Sequence, residues 1–156
     1  MRPVEISNRA PSFSVNKVAL VSLVHILDKR FRAPSGTLSI VFVSHSTLAK
    51  MHGDYCGDPS PTDIITFPID DEEIWGELYI SPQAAVEFII KSGGNFEEEV
   101  KRYVIHGYLH LMGYDDLTPK GRAQMRRLER EGLKVSAKIK KIFKLKISPR
   151  KSLPKN

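Results

Sequence analysis

Residues 106–116 have the sequence HGYLHLMGYDD, which combines the end of a helix with a candidate set of metal ligands. Two histidines at positions i and i+4 lie on one face of a helix, so the imidazoles of His106 and His110 can reach the same ion. Gly113 allows the chain to turn back after the helix, and Asp116 follows His110 by six residues. The stretch therefore predicts a helix that ends in a metal site formed by His106, His110 and Asp116.

This ligand spacing is that of the metzincin-type pattern, with aspartate in the last place. Two histidines alone would equally fit ordinary half-buried helix positions, and it is the added glycine and third ligand that favour a metal. Three protein ligands leave a fourth position for water, which is the layout of a catalytic zinc site. Zinc lowers the pKa of such a water enough to supply hydroxide at neutral pH. We predict one zinc ion per chain, with another divalent ion as the alternative.

A zinc peptidase needs a general base that is missing from this stretch. In such enzymes a glutamate follows the first histidine and activates the attacking water. Gly107 occupies that position here and has no side chain. A metallopeptidase is therefore the least favoured function, and Asp63 or Glu77 could replace the missing base only if the fold brings one of them near.

The rest of the chain predicts a small α+β domain around the helix. Apolar runs predict four strands, near residues 4–8, 38–43, 64–67 and 76–80. Helical periodicity and cap residues predict helices over 15–31, after Ser44 or Ser46, over 82–91, from 96 to about 113, and over 119–133. Glycine and proline predict a loop from Gly53 to Pro61. We therefore expect a single α+β domain with a mixed sheet of about four strands packed with four to five helices.

Three ordered, ungapped blocks of the sequence resemble the YbeY family of endoribonucleases and ribosomal-RNA maturation proteins. His106 to Asp115 is similar to the family signature His-Gly-x-Leu-His-Leu-x-Gly-Tyr-Asp-His. Tyr55 to Pro68 retains the Pro-Thr-Asp and Phe-Pro of a second block, and Trp75 to Pro82 is similar to a third. Because the order of the elements fits the family from residue 4 to about 133, we define a YbeY-like metal-binding domain over residues 1–133.

The resemblance implies a fold and a function. It implies zinc at the C-terminal end of the signature helix and metal-dependent endoribonuclease activity in ribosomal-RNA processing and small-subunit maturation. It also implies ribosomal RNA, the small ribosomal subunit and assembly factors as partners, with no DNA and no membrane. Thr62 and Asp63 follow a loop, so they are expected either to line the substrate cleft or to cap the start of the next strand.

The chain departs from the family pattern at two functional positions. Asp116 replaces the third metal-binding histidine, and carboxylate is also a zinc ligand, although a harder and anionic one. Cys56 replaces an arginine that the family associates with RNA cleavage, and a thiol cannot clamp a phosphate in two places. The cysteine could instead be a fourth ligand that closes the site. These departures leave open a non-catalytic ribosome-assembly factor that binds RNA and whose metal is structural.

The basic character of the chain is concentrated near its C-terminus. Residues 134–156 contain nine of the 24 Lys and Arg residues and no acid, which leaves 15 cations against 18 acids, a charge of about −3, in the rest. Such a tail predicts a polyanionic partner, either nucleic acid or an anionic membrane surface, or else only a solvated extension. Ile139, Ile142 and Phe143 have helical spacing, and prolines beyond them predict disorder. We expect the tail to bind RNA through residues that include Lys138, Lys140 and Lys141.

Composition predicts the structural class of the protein and its cellular compartment. The chain has 156 residues, of which 41% are hydrophobic and 27% charged, as in one globular domain. Its best apolar run, Val18 to Leu27, is too short to span a bilayer and contains Ser22 and His25. No basic segment leads into an apolar stretch at the N-terminus, so no secretory signal is expected. The single cysteine excludes an internal disulfide and favours the cytoplasm.

Overall fold

A computed structural model describes residues 1–57 and 62–146, with only the backbone described at Cys56. In the part of the chain so described, six strands and five helices follow one another in the order β1 (Val4–Asn8), β2 (Phe13–Val15), α1 (Lys17–Phe31), β3 (Thr37–Phe42), α2 (His45–Cys56), β4 (Ile64–Pro68), β5 (Ile74–Ile80), α3 (Pro82–Ser92), α4 (Phe96–Leu111), α5 (Pro119–Val135) and β6 (Phe143–Leu145).

Four of the strands form a mixed sheet in the order β1-β3-β5-β4. The first three are parallel, and β4 runs antiparallel to β5. The predicted α+β domain with a four-stranded mixed sheet and five helices is confirmed. A separate antiparallel pair, β2 with β6, joins the two ends of the domain.

Side-chain caps fix where the helices begin. The Ser44 hydroxyl accepts a hydrogen bond from the backbone N–H of Thr47, which settles the choice between Ser44 and Ser46. The other four helices begin in the same way at Asn16, Ser81, Asn95 and Thr118. Pro82 and Pro119 then occupy first helical positions, where a missing N–H has no cost.

The main core lies between one face of the sheet and the helices α1, α4 and α5. Leu38, Ile40 and Phe42 of β3 point into it and are fully buried. Val41 and Val43 alternate with them, so they point to the opposite face, where they pack against Leu48 of α2. The sheet therefore separates α2 from the three helices on the other side.

α4 approaches the sheet most closely at Gly107. A Cβ atom added there would lie 2.5 Å from Ile64 Cδ1 and 2.9 Å from a methyl group of Leu78. Any larger residue would have to displace the ends of these two side chains, so the short distance between the helix backbone and strands β4 and β5 depends on glycine. This close packing sets the distance between α4 and the sheet, and therefore the position of His106 and His110 on the same helix.

The prediction of a loop from Gly53 was wrong at its start. α2 continues through Gly53 to Cys56, and it ends where Gly57 adopts the left-handed conformation with a φ of 69°. Helical hydrogen bonding overrides the single glycine, whose intrinsic cost in a helix is only about 1 kcal/mol. The rest of the predicted loop, residues 58–61, lies outside the described residues.

The helix that the spacing of Ile139, Ile142 and Phe143 predicted was also wrong, because Phe143–Leu145 forms strand β6. Ile142 and Phe143 are buried, and the Phe143 ring stacks on Phe13 at 5.8 Å between centroids. The domain therefore extends beyond residue 133 to at least Leu145. The disorder predicted around Pro149 and Pro154 lies outside the described residues.

Two charged residues of α4 hold this last segment by its backbone. Lys101 Nζ donates hydrogen bonds to the carbonyls of Ser136 at 2.7 Å and Ile139 at 3.1 Å. Burial lowers the pKa of Lys101, against the opposing charges of Glu97 and Glu98. The carboxylate of Glu97 accepts hydrogen bonds from the N–H groups of Ile142 and Phe143. These contacts explain why residues that resemble a tail in sequence belong to the folded domain.

Candidate metal centre

The three predicted ligands come together at the C-terminal end of α4. His106 Nε2 and His110 Nε2 are 2.9 Å apart, and Asp116 Oδ2 lies 3.5 Å from the first and 3.7 Å from the second. Among the described residues this is the one group of His, Cys, Asp and Glu side chains that could hold a metal ion. The Cys56 side chain, considered as a fourth ligand, lies outside what the structure describes.

The donor set fits a divalent zinc ion. Donor atoms around a tetrahedral zinc with bonds of about 2.0–2.2 Å lie roughly 3.3–3.6 Å apart. The two separations involving Asp116 are close to that range, and the histidine pair is somewhat tighter. The helix C-terminus also favours a cation because its last carbonyls carry partial negative charge. The Asp116 side chain is 42% exposed and both histidines are 24% exposed, so the cluster opens to solvent.

A short turn brings Asp116 back to the histidines. Gly113 has a φ of 102°, in the left-handed region that favours glycine, as its place after the helix predicted. The neighbouring Asp115 is not part of the cluster, because its carboxylate accepts a hydrogen bond from the Leu117 N–H at 3.1 Å and stabilises the turn. Arg122 of α5 contacts the Asp116 carbonyl at 3.4 Å.

Glu129 of α5 orients the first histidine and was missed in the sequence analysis. Its Oε2 lies 2.6 Å from His106 Nδ1, and the residue is 9% exposed. A carboxylate that accepts the Nδ1 proton fixes the tautomer in which Nε2 is free to bind a metal. The sequence does contain a signal, since Glu129 falls within the buried stripe formed by Met125, Leu128 and Gly132. A carboxylate in such a stripe requires a buried partner.

The two histidines titrate differently. Burial lowers the pKa of His106, but the hydrogen bond and charge of Glu129, with the charges of Asp116 and Asp63, outweigh it, so this pKa is raised. Burial and the neighbouring charge of His106 lower the pKa of His110. One imidazole of the pair therefore holds a proton more readily than the other, and a metal ion would have to displace that proton.

Of the two residues that could replace the missing peptidase base, Asp63 lies near the site and Glu77 does not. Position 107 faces the sheet, where a side chain would meet Ile64 and Leu78 and would not point to the metal ligands. Glu77 precedes Leu78, which packs against Gly107, so Glu77 points to the opposite face of the sheet. Asp63 lies near the site, since its charge acts on His106. The metallopeptidase hypothesis therefore has no support from position 107 or from Glu77.

Thr62 and Asp63 line a cleft of about 400 Å³, which fits the first of their two predicted roles. His45, Lys91 and Tyr103 line it as well. The Thr62 hydroxyl also donates a hydrogen bond to the Ile64 carbonyl, and the Asp63 carbonyl accepts one from the Ser81 N–H. Burial raises the pKa of the Asp63 carboxyl, against its backbone hydrogen bonds and the charge of His106. Asp63 thus belongs to the lining of the cleft, and its charge acts on one residue of the metal centre.

The three lysines predicted to bind substrate lie away from this site. Lys138, Lys140 and Lys141 are exposed and lie within the segment that is held by Glu97 and Lys101. Glu97 precedes His106 by nine residues, a distance of about 14 Å along an α-helix. The structure therefore does not bring these lysines together with His106, His110 and Asp116, and their role in binding stays a prediction.

The fold and the cluster define a class of protein, namely a single-domain α+β protein whose signature helix ends in a site able to hold a metal ion. Comparison with known proteins gives the family. The Endoribonuclease YbeY family model matches residues 5–137. A relative of that name from Chlamydia caviae is 36% identical over 137 residues, which cover 82% of this chain and 87% of the relative. Another from Protochlamydia amoebophila is 35% identical over 119 residues, covering 73% and 79%.

A solved structure agrees with these sequence relatives. The solution structure of TM1509 from Thermotoga maritima is similar with a TM-score of 0.61 and 25% identity, covering 85% of this chain and 88% of that one. The chain therefore belongs to the YbeY family, whose members carry the name of a nuclease. No helix in the described residues has the length and apolar character needed to cross a membrane.

Proposed function

We propose that this protein is a zinc-dependent endoribonuclease that processes ribosomal RNA during maturation of the small ribosomal subunit. The observation that carries the proposal is the three-donor cluster of His106, His110 and Asp116 at the end of α4, open to solvent, in a chain of the YbeY family. Ribosomal RNA, the small subunit with its assembly factors, and a cytoplasmic location belong to the same proposal.

Several residues of the chain have defined parts in this function. His106, His110 and Asp116 would hold the metal, which, when bound, can polarise a phosphoryl oxygen and lower the pKa of a bound water. Glu129 holds the Nδ1 proton of His106 and so presents Nε2 to the cluster. Asp63 lines the cleft and its charge acts on His106, so it can hold or release a proton near a substrate bound in the cleft.

The second candidate is a ribosome-assembly factor that binds RNA and uses the metal only for structure. Cys56 in place of the family's arginine favours it, because a thiol supplies no charge to a phosphate. The exposure of the Asp116 side chain, at 42%, favours catalysis, since structural zinc sites are closed by four protein ligands. The open cluster makes the nuclease the better supported of the two.

Metal analysis and RNA cleavage together test the proposal. The wild type should contain one zinc ion per chain and cleave a small-subunit ribosomal-RNA precursor, and a chelator should abolish cleavage until zinc is restored. His110→Ala, purified in parallel, should lose both metal and activity. Lys50→Gln, which changes an exposed lysine on α2, should retain both. Zinc binding without cleavage would favour the assembly factor, and equal metal content in wild type and His110→Ala would refute the ligand assignment.

A further inference from the structure

The outer face of α5 carries a continuous row of positive charges. Arg122, Arg126, Arg130 and Lys134 follow one another at four-residue intervals, and all four are exposed. Residues at this spacing are neighbours on a helix surface, with a step of about 6 Å along the axis. The row, called here the α5 stripe, is thus about 18 Å long.

The acids of α5 do not neutralise the stripe. Glu129 turns inward to His106, and Glu131 pairs with Arg30 of α1. Within residues 1–57 and 62–146, no ion pair involves Arg126, Arg130 or Lys134. Like charges four residues apart repel one another and weaken a helix. Lys134 shares a groove with Glu97 and Glu98 of α4, so the charge of the stripe is least balanced at Arg126 and Arg130, where a polyanion would complement it.

The stripe begins beside the metal centre. Arg122 contacts the carbonyl of Asp116 at 3.4 Å. Arg126 stands three residues before Glu129, the partner of His106, and so neighbours it on the helix surface. Arg130 and Lys134 then lead away from the metal ligands along α5. An elongated anion that binds the whole row would have one end at the candidate metal centre.

We propose that the α5 stripe binds the phosphate backbone of single-stranded RNA and leads the strand to the metal centre. The proposal rests on the function proposed above, and it identifies the surface that holds the substrate. A single row of cations matches one backbone, and binding to such a row does not depend on base sequence. A membrane is the poorer partner, because the exposed apolar residues of α5 are limited to Pro119, Ala123 and Val135, and surface-bound helices need an extended face of large apolar side chains.

Neutralising the stripe tests this inference. The variant Arg126→Gln/Arg130→Gln/Lys134→Gln is compared with the wild type and with Arg9→Gln/Lys17→Gln/Lys50→Gln. This control removes the same charge from exposed positions just after β1, on α1 and on α2. Binding of a fluorescent 12-nucleotide oligouridylate is measured from 50 to 500 mM salt with chelator present, so that no cleavage interferes. Thermal melting confirms that each variant is folded.

Each phosphate contact on a single strand contributes about −0.7 to the slope of log K against log salt. Loss of three contacts should flatten the slope by about 2 and weaken binding roughly 50-fold at 0.15 M salt, while the control keeps the wild-type slope. Arg126→Lys/Arg130→Lys should retain the slope, because the charges remain. An unchanged slope in the stripe variant, an equal loss in the control, or no RNA binding by the wild type would overturn the proposal.

Two further outcomes separate this inference from its alternatives. Stripe-dependent binding by a wild type that never cleaves RNA would support the stripe and refute only the proposed nuclease activity. Phosphatidylglycerol vesicles are tested in parallel. If they bind the wild type with the same dependence on the stripe while the oligouridylate does not bind, the surface is a lipid-binding face and the RNA proposal is overturned.

Discussion

Replacing Glu129 with glutamine should weaken zinc binding without disturbing the fold. The carboxylate lies 2.6 Å from His106 Nδ1 and is almost fully buried. Glutamine has the same size and keeps one oxygen that can accept the Nδ1 proton, but it removes the charge that makes the imidazole a stronger ligand. Loss of such an outer carboxylate costs about 10- to 100-fold in metal affinity, which corresponds to about 1.4–2.7 kcal/mol. We expect Glu129→Gln to fall in the lower half of this range because a hydrogen bond remains.

The assay is competition with a chromophoric chelator at pH 8, and α5 offers a matched control. Glu131→Gln removes the same charge two residues away, where the side chain pairs with Arg30 and does not touch the cluster. Its zinc affinity should stay within about twofold of the wild type, as expected for a surface ion pair. Equal affinities in Glu129→Gln and Glu131→Gln would show that Glu129 does not orient a metal ligand.

The difference in zinc affinity between the wild type and Glu129→Gln should shrink as the pH falls. Burial lowers the pKa of His106, but Glu129 and the charges of Asp116 and Asp63 raise it further, so its net pKa is above 6.5. Zinc must displace that proton, and affinity therefore falls once the pH drops below the pKa of His106. The glutamine variant lacks the charge that raises this pKa, so its affinity begins to fall at a lower pH. If the difference in zinc affinity instead grew between pH 8 and pH 6, the role of Glu129 as the partner of His106 would be contradicted.

Four further predictions follow from particular contacts. Gly107→Ala should lower the free energy of unfolding in urea by up to about 2 kcal/mol, because the overpacking cost of about 1–3 kcal/mol against Ile64 and Leu78 is partly offset by a gain of about 1 kcal/mol in helix propensity, and a more stable variant would contradict the packing. Phe143→Ala should lower the free energy of unfolding by about 3–5 kcal/mol, whereas Lys144→Ala, at an exposed position, should lower it by less than about 0.5 kcal/mol. Equal losses would show that this segment does not pack on the domain. Asp63→Asn should raise the melting temperature of the metal-free protein at pH 7 and much less at pH 4. Burial raises the pKa of Asp63, so the wild type buries a charged carboxylate only at a pH above that pKa. An equal rise in melting temperature at pH 7 and pH 4 would show that the buried charge is not the cause. Asp116→His should retain or tighten zinc binding in the chelator assay, since imidazole and carboxylate bind zinc at similar distances, and a folded variant that bound no zinc would show that residue 116 is not a ligand.

The elements that the sequence predicted well are those whose signals are local. Capping at Ser81 and Asn95 and the turn at Gly113 depend on residues within one helical turn, and they occur as expected. The metal cluster was also accessible, because His106 and His110 share a helix face and Asp116 returns over a short turn. In each case the interacting residues are close in sequence, so their spacing alone determines which side chains can come into contact.

The missed features depend on contacts between distant segments. Phe143 has helical spacing with Ile139, but its place in a strand is decided by Phe13, by the backbone pairing of β2 with β6, and by Glu97. The count of positive charges also suggested a solvated tail in this region, but exposed lysines such as Lys141 and Lys144 do not exclude a buried phenylalanine between them. Glu129 shows the same limit, since its partner lies 23 residues away on another helix.

The charges around the candidate centre explain why the α5 stripe and the metal would act together. Without an ion, Asp63, Asp116 and Glu129 surround His106 with carboxylates, which would repel a phosphodiester. A bound divalent cation would be the largest local charge in such a site; it would offset most of that repulsion and could attract a phosphoryl oxygen directly. The cations of the stripe lie outside this acidic centre, so they can attract RNA whether or not the metal is bound. Binding of RNA and its approach to the reactive position are thus separable, because the first depends on α5 and the second on the occupancy of the cluster at the end of α4.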